Sequence, residues 1–165
     1  MIANSWKKYY ILLMKVNIIC VGKIKEKFFT DAIGEYLKRL SRFADVKIIE
    51  VDEASNVSNL EQKSKIEGER LLAKIAGVIV ALDGKGKQLS SEELSKYIQD
   101  KKVNGISQIS FIIGGSNGLS KEVLDRADLI LSFGKITFPH QLFRVVLSEQ
   151  IYRAFTIIEG LPYHK

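Results

Sequence analysis

The sequence predicts an α/β fold: a mostly parallel sheet with helices on both faces. Three observations predict it. Short apolar runs alternate with segments of helical periodicity from end to end. The run 78–82, Val-Ile-Val-Ala-Leu, is almost wholly apolar, as expected of a strand buried on both sides. Single helices stand between successive strands, and no repeat, low-complexity tract or Pro-rich linker divides the chain.

Residues 16–21 form a strand that stops at Gly22. Phe29, Ile33, Tyr36, Leu37 and Leu40 then recur at helical spacing, with Lys38, Arg39 and Arg42 on the other side. Residues 46–51 read as a second strand. Ser58 with Glu61 has capping-box spacing and opens a helix to about Ile75. Strand 78–82 ends in a glycine-broken loop, Asp83-Gly84-Lys85-Gly86-Lys87. Ser90 with Glu93 is a second capping box, ahead of a helix to about Lys102. A fourth strand, 109–113, runs into Gly114-Gly115-Ser116-Asn117-Gly118. After a short helix come a fifth strand near 129–133 and a last helix over 140–159. Pro139 is placed at its first helical position and Gly160 is its C′ residue.

Composition narrows the function. In 165 residues, 46% are hydrophobic and 27% charged, which suits one globular domain. One cysteine excludes a disulfide framework, and with two histidines it cannot supply a four-ligand zinc site, so no metal is expected. The net charge is +6 and unevenly spread. Residues 1–45 hold nine Lys/Arg against four Asp/Glu, residues 46–100 eight against ten, and residues 101–165 eight against five. Basic ends brought onto one face would attract a polyanion, although this charge also suits ordinary solubility. Lys7-Lys8 before an apolar stretch resembles a signal peptide only briefly, since Lys15 and Asn17 interrupt it and no small-residue cleavage site follows. No run approaches the ~20 apolar residues of a membrane span. The expectation is a cytoplasmic protein whose residues 1–13 are an upstream extension or an over-called start and whose single domain is 14–165.

Ligands of open parallel sheets bind beyond the carboxyl ends of the strands. Three such ends here are glycine-rich or expose backbone: 82–86, 114–118 and 133–138. None fits a P-loop or the G-x-G-x-x-G dinucleotide turn, which disfavours a plain NTPase or NAD enzyme. Another adenine cofactor, a small metabolite, or no ligand remain open. The last helix carries Arg144, Glu149, Tyr152 and Arg153, and the tail ends in Tyr163-His164-Lys165. Read alone, that tail is a frayed end.

In this order and at these spacings, several strings carry a resemblance. They are Met14-Lys15-Val16 with Val21-Gly22-Lys23, Leu82-Asp83-Gly84-Lys85-Gly86-Lys87, and Phe111-Ile112-Ile113-Gly114-Gly115-Ser116-Asn117-Gly118-Leu119. Thr137-Phe138-Pro139-His140-Gln141-Leu142-Phe143-Arg144-Val145, Glu149-Gln150-Ile151-Tyr152-Arg153-Ala154 and Pro162-Tyr163-His164-Lys165 complete the set. From Met14 to Lys165 the chain resembles the RlmH family of SPOUT-class ribosomal RNA methyltransferases.

The resemblance implies a homodimer with a C-terminal trefoil knot that binds S-adenosyl-L-methionine. It further implies methylation of N3 of a pseudouridine in helix 69 of 23S rRNA on the assembled ribosome. Carried over by position, the cofactor residues are Leu82, Gly114, Phe133, Gly134, Lys135, Ile136, Thr137 and Phe138, with Gly134 and Lys135 acting through backbone. His164 is the first candidate for proton handling or substrate contact, because its ordinary pKa near 6.5 suits that role. Tyr163 is a candidate for base stacking, and Arg153 and Lys165 for holding phosphate or orienting the base. Arg144 is a weaker substrate candidate, and for both Arg144 and Arg153 an ion pair along the last helix is the rival reading. His140 is expected to cap or pack the helix start. The competing functions are a non-catalytic RNA- or ribosome-binding module and a SPOUT enzyme acting on tRNA.

Overall fold

Five parallel strands lie in the order β2-β1-β4-β3-β5, and every consecutive pair is joined through a helix. The computed structural model describes residues 13–165, so nearly all of the expected 1–13 extension lies outside the described residues. In chain order the elements are β1 (Met14–Val21), α1 (Lys27–Leu40), β2 (Ala44–Val51), α2 (Leu60–Leu72) and β3 (Val78–Gln88). Then follow α3 (Ser91–Val103), β4 (Gln108–Ile113), α4 (Lys121–Arg126), β5 (Leu129–Ser132) and α5 (His140–Ile158).

Alternation along β1 shows how the sheet is covered. Val16, Ile18 and Cys20 join Leu40 of α1, Leu94 and Ile98 of α3, and Leu147, Ile151 and Phe155 of α5 in one core. Ile19 and Val21 point the other way, to Leu71 of α2 and Val123 of α4. Successive side chains of a strand face opposite sides, so the apolar run 18–21 feeds both layers.

The local rules hold with three adjustments. Ser90 and Glu93 make the expected capping box at α3. At α2 the cap is Asn59, whose side chain accepts from Gln62 N–H, so the helix starts one residue later than the Ser58–Glu61 spacing suggests. Both residue types cap well, and the competition between neighbours is settled by backbone geometry. Pro139 sits at the N-cap of α5, one position before the expected place, and Gly160 takes φ +64° just past the C-cap.

The third adjustment shapes the site. The loop expected after Leu82 is an arm of β3: pairing with β5 breaks between Leu82 and Lys87, both opposite Leu131, and resumes to Gln88–Ser132. Gly86 is required there. A Cβ would stand 2.7 Å from the backbone carbonyl carbon and oxygen of Ile130.

Candidate functional site

Beyond the ends of β3, β4 and β5 lies a cavity of about 280 Å³. Leu82, Ile113, Leu131, Phe133, Ile136, Phe138 and Phe143 give it apolar walls, and the segments 83–84, 114–118 and 133–138 bring backbone groups to it. All eight residues carried over as cofactor positions line this one cavity. Sequence order separates them by up to 56 residues, and parallel strand pairing returns each strand's carboxyl end to the same edge.

The turn in 114–118 is built for close approach. Gly115 and Gly118 form an isolated antiparallel bridge, with Gly118 N–H donating to Gly115 O at 3.0 Å. A Cβ on Gly114 would lie 2.6 Å from the carbonyl of Gly118, so this turn closes only with glycine there. Across the cavity, Ser132 links the other two segments. Its hydroxyl accepts from Gly134 N–H and lies 3.2 Å from both Gly84 O and Gly134 O. His140, the first residue of α5, joins the cavity wall and does not cap the helix, because the N-cap falls on Pro139.

The tail residues assemble a second cluster. The tail is held against its own chain, not frayed: Leu161 N–H donates to Thr156 O, and Tyr163 packs edge-on to Tyr152 with ring centroids 4.8 Å apart. Glu149 is the hub. It takes Arg153 Nε at 3.0 Å, Arg153 Nη2 at 2.6 Å and the Tyr163 hydroxyl at 3.0 Å. Arg153 also lies over the Tyr163 ring at 4.8 Å.

Burial, then the hydrogen bond to Glu149, pushes the Tyr163 phenol up to about 12. His164 Nε2 meets Glu92 Oε1 at 2.8 Å, and its Nδ1 meets Arg153 Nη1 at 3.2 Å. Arginine only donates and carboxylate only accepts, so the neutral Nε2–H tautomer satisfies both contacts. The Glu92 carboxyl is held down to about 2, by the backbone amide at the start of α3 first and by His164 next.

Neither Arg153, Tyr163, His164 nor Lys165 lines the cavity within one chain. Sequence reasoning gave Glu149 no role in the site and missed Glu92. The ion pair along the last helix that was the rival reading for Arg153 is formed with Glu149 at i, i+4, whereas Glu92 reaches His164 only through the tertiary fold.

Arg144 is placed elsewhere than a substrate contact requires. It is 1% exposed, and its Nη atoms bind Glu50 Oε1 at 2.9 Å, Val21 O at 2.8 Å and Gly22 O at 3.0 Å. This corrects both earlier readings: the ion pair runs across to β2, not along α5, and the guanidinium locks the end of β1 to α5. Glu67 on α2 was also overlooked. Its Oε1 accepts from Ala54 N–H at 3.0 Å, while its buried Oε2 has no partner and fills the space a Cβ on Gly115 would enter, at 2.9 Å.

Residues 14–164 match a family model described as "Predicted SPOUT methyltransferase". A relative in Carboxydothermus hydrogenoformans, "Ribosomal RNA large subunit methyltransferase H", is 55% identical over 159 residues, spanning 92% of this chain and all of that one. The chain belongs to this methyltransferase family. A Streptococcus gordonii protein of the same description is 52% identical over 160 residues, again covering 92% of this chain and all of the relative. The solved structure of a probable methylase family protein from Haemophilus influenzae Rd KW20 shares the fold, with TM-score 0.50 at 11% identity over 92% of this chain and 70% of that one. No described helix is long and apolar enough to cross a membrane.

Proposed function

We propose that the chain is an S-adenosyl-L-methionine-dependent methyltransferase acting on N3 of a pseudouridine in helix 69 of 23S rRNA, on the assembled ribosome in the cytoplasm. The cavity carries this reading: three strand ends converge on a pocket of cofactor scale with apolar walls and exposed backbone. The tight Gly114–Gly118 turn fits the cofactor there, because glycine at 114 lets the turn close and keeps its backbone, not a side chain, at the cavity wall. Leu82, Ile136 and Phe138 would grip the adenine, and backbone groups of 114–118 and 133–138 would recognise its polar edge. Bound, the cofactor supplies an electrophilic methyl group on a positively charged sulfur.

The chain must then hold the pseudouridine ring in line with that methyl group and receive the N3 proton. His164 is the group to receive it. In the single chain its Nδ1 lone pair is engaged by Arg153, so proton uptake requires that contact to open. Tyr163 stays protonated at neutral pH, which suits it to stack on or hydrogen-bond to a base. Because the tail cluster stands outside its own chain's cavity, we read the active unit as a homodimer in which one chain's tail completes its partner's site. The C-terminal trefoil knot is what the resemblance implies for this half of the chain, where residues 87–88 pair with β5 beyond the break in β3.

Mass-spectrometric mapping of modified nucleosides after incubation with unmodified ribosomes tests this reading, with free rRNA and tRNA alongside. Methyl transfer to tRNA in preference to ribosomes would transfer the reading to a tRNA enzyme. Calorimetry showing no S-adenosylmethionine binding at millimolar ligand would leave a non-catalytic RNA-binding module. For the proton acceptor, an unchanged single-turnover rate in His164→Ala from about pH 6 to 9 removes His164 from that role.

A further inference from the structure

The geometry points to residues 23–28, which lead from β1 into the first turn of α1, as an RNA-contacting surface beside the methyl-donor cavity. Lys23 and Lys25 take phosphates there and Phe28 stacks on an unpaired base. The inference rests on the RNA methyltransferase reading and names the element that grips the RNA.

Three observations carry it. First, the backbone of this loop is fixed from behind. Arg144 holds the carbonyls of Val21 and Gly22, Glu50 Oε1 accepts from Ile24 N–H at 3.1 Å, and Gln141 Oε1 accepts from Lys25 N–H at 2.9 Å. A loop fixed in this way pays no backbone ordering cost at the moment of binding.

Second, those side chains are of the kind RNA selects. Lys23 and Lys25 are exposed and enter no ion pair among the described residues, while Phe28 is 62% exposed despite its size. The nearby acids are engaged: Asp31 pairs with Lys27, Glu50 with Arg144 and Glu53 with Lys63. Glu26 is the one acidic side chain in 22–30. Unpaired cations beside an exposed aromatic ring match the phosphates and unstacked bases of looped RNA.

Third, the loop sits at the reaction site's edge. Gln141, which anchors it, follows His140 of the cavity wall, and both Lys25 and His140 act electrostatically on Glu53. An RNA engaged by this loop therefore lies next to the cavity.

The test measures direct binding of wild type, Lys23→Gln/Lys25→Gln and Phe28→Ala to unmodified ribosomes across a salt series, with S-adenosylmethionine affinity measured separately. The double lysine variant should bind ribosomes about tenfold or more weakly near 0.15 M salt, with the log–log salt slope reduced by about 1 to 2. Phe28→Ala should lose about tenfold with an unchanged slope. Cofactor affinity should be unchanged in both. Wild-type ribosome affinity and salt slope in the lysine variant overturn the inference, as does weakened binding with no change of slope, which would assign the loop to a ribosomal protein. A wild type that binds ribosomes through this loop yet methylates no RNA would sink the catalytic reading and leave the loop assignment standing.

Discussion

Replacing Arg144 tests whether this residue is a structural lock, and the structure sets the magnitude. Arg144→Ala removes a guanidinium that satisfies two backbone carbonyls and one carboxylate oxygen at the end of β1, behind a side chain with 2% exposure. Hydrogen bonds from a charged donor contribute about 1.5–3 kcal/mol each. The Glu50 contact counts for less, since that side chain is 30% exposed and partly screened. Against these stands the cost of burying a cation whose Nε has no partner. The expected net loss is about 3–5 kcal/mol, the range seen when one member of a buried pair is removed. Urea unfolding followed by circular dichroism measures it, with Arg144→Lys alongside. Lysine cannot reproduce the two-pronged geometry and should recover little. Under conditions where Arg144→Ala remains folded, the amide of Ile24 should exchange faster, because Glu50 loses the partner that orients it towards Ile24. A loss below about 1 kcal/mol with unchanged exchange would refute the lock and return Arg144 to the substrate side of the reaction.

Gly114→Ala should abolish cofactor binding in calorimetry while leaving most of the fold, because its Cβ would meet the Gly118 carbonyl at 2.6 Å. Gly115→Ala should weaken cofactor binding by about tenfold, and adding Glu67→Ala should recover part of the loss by vacating the oxygen 2.9 Å away; strict additivity would deny the steric coupling. Tyr163 should give no ultraviolet phenolate signal below about pH 11, and Glu149→Gln should move its titration downward by removing the negative charge beside it. The Glu92 carboxyl is depressed from 4.5 to about 2, so the stability it contributes is present above about pH 4.5 and is lost as pH falls towards 2. Glu92→Gln should therefore flatten that part of the acid-unfolding curve, and an unaltered curve would show that the tail contact contributes nothing.

Much of this protein is written in local patterns. Strands and helices follow from the alternation of apolar runs and periodic segments, because side-chain burial has a period of two in a strand and near 3.6 in a helix. The three glycine-rich or open strand ends were likewise visible, since glycine marks places where backbone approaches something closely. What the pattern could not carry is partnership across the chain. The arm at 83–88 reads as a loop until β5 is there to pair with it. Arg144 looks like one more cation on an amphipathic helix, yet α5 packs against β1 and turns it into the lock on residues 21–22. His164 finds Glu92 at a separation of 72 residues, and Glu67 reaches the back of the Gly115 turn from another layer. Residue type and spacing determine which groups are available, but burial and hydrogen-bond partners depend on which segments the sheet order brings together. That order is set by packing both faces at once, and it decided which basic residues stay inside and which are left facing solvent.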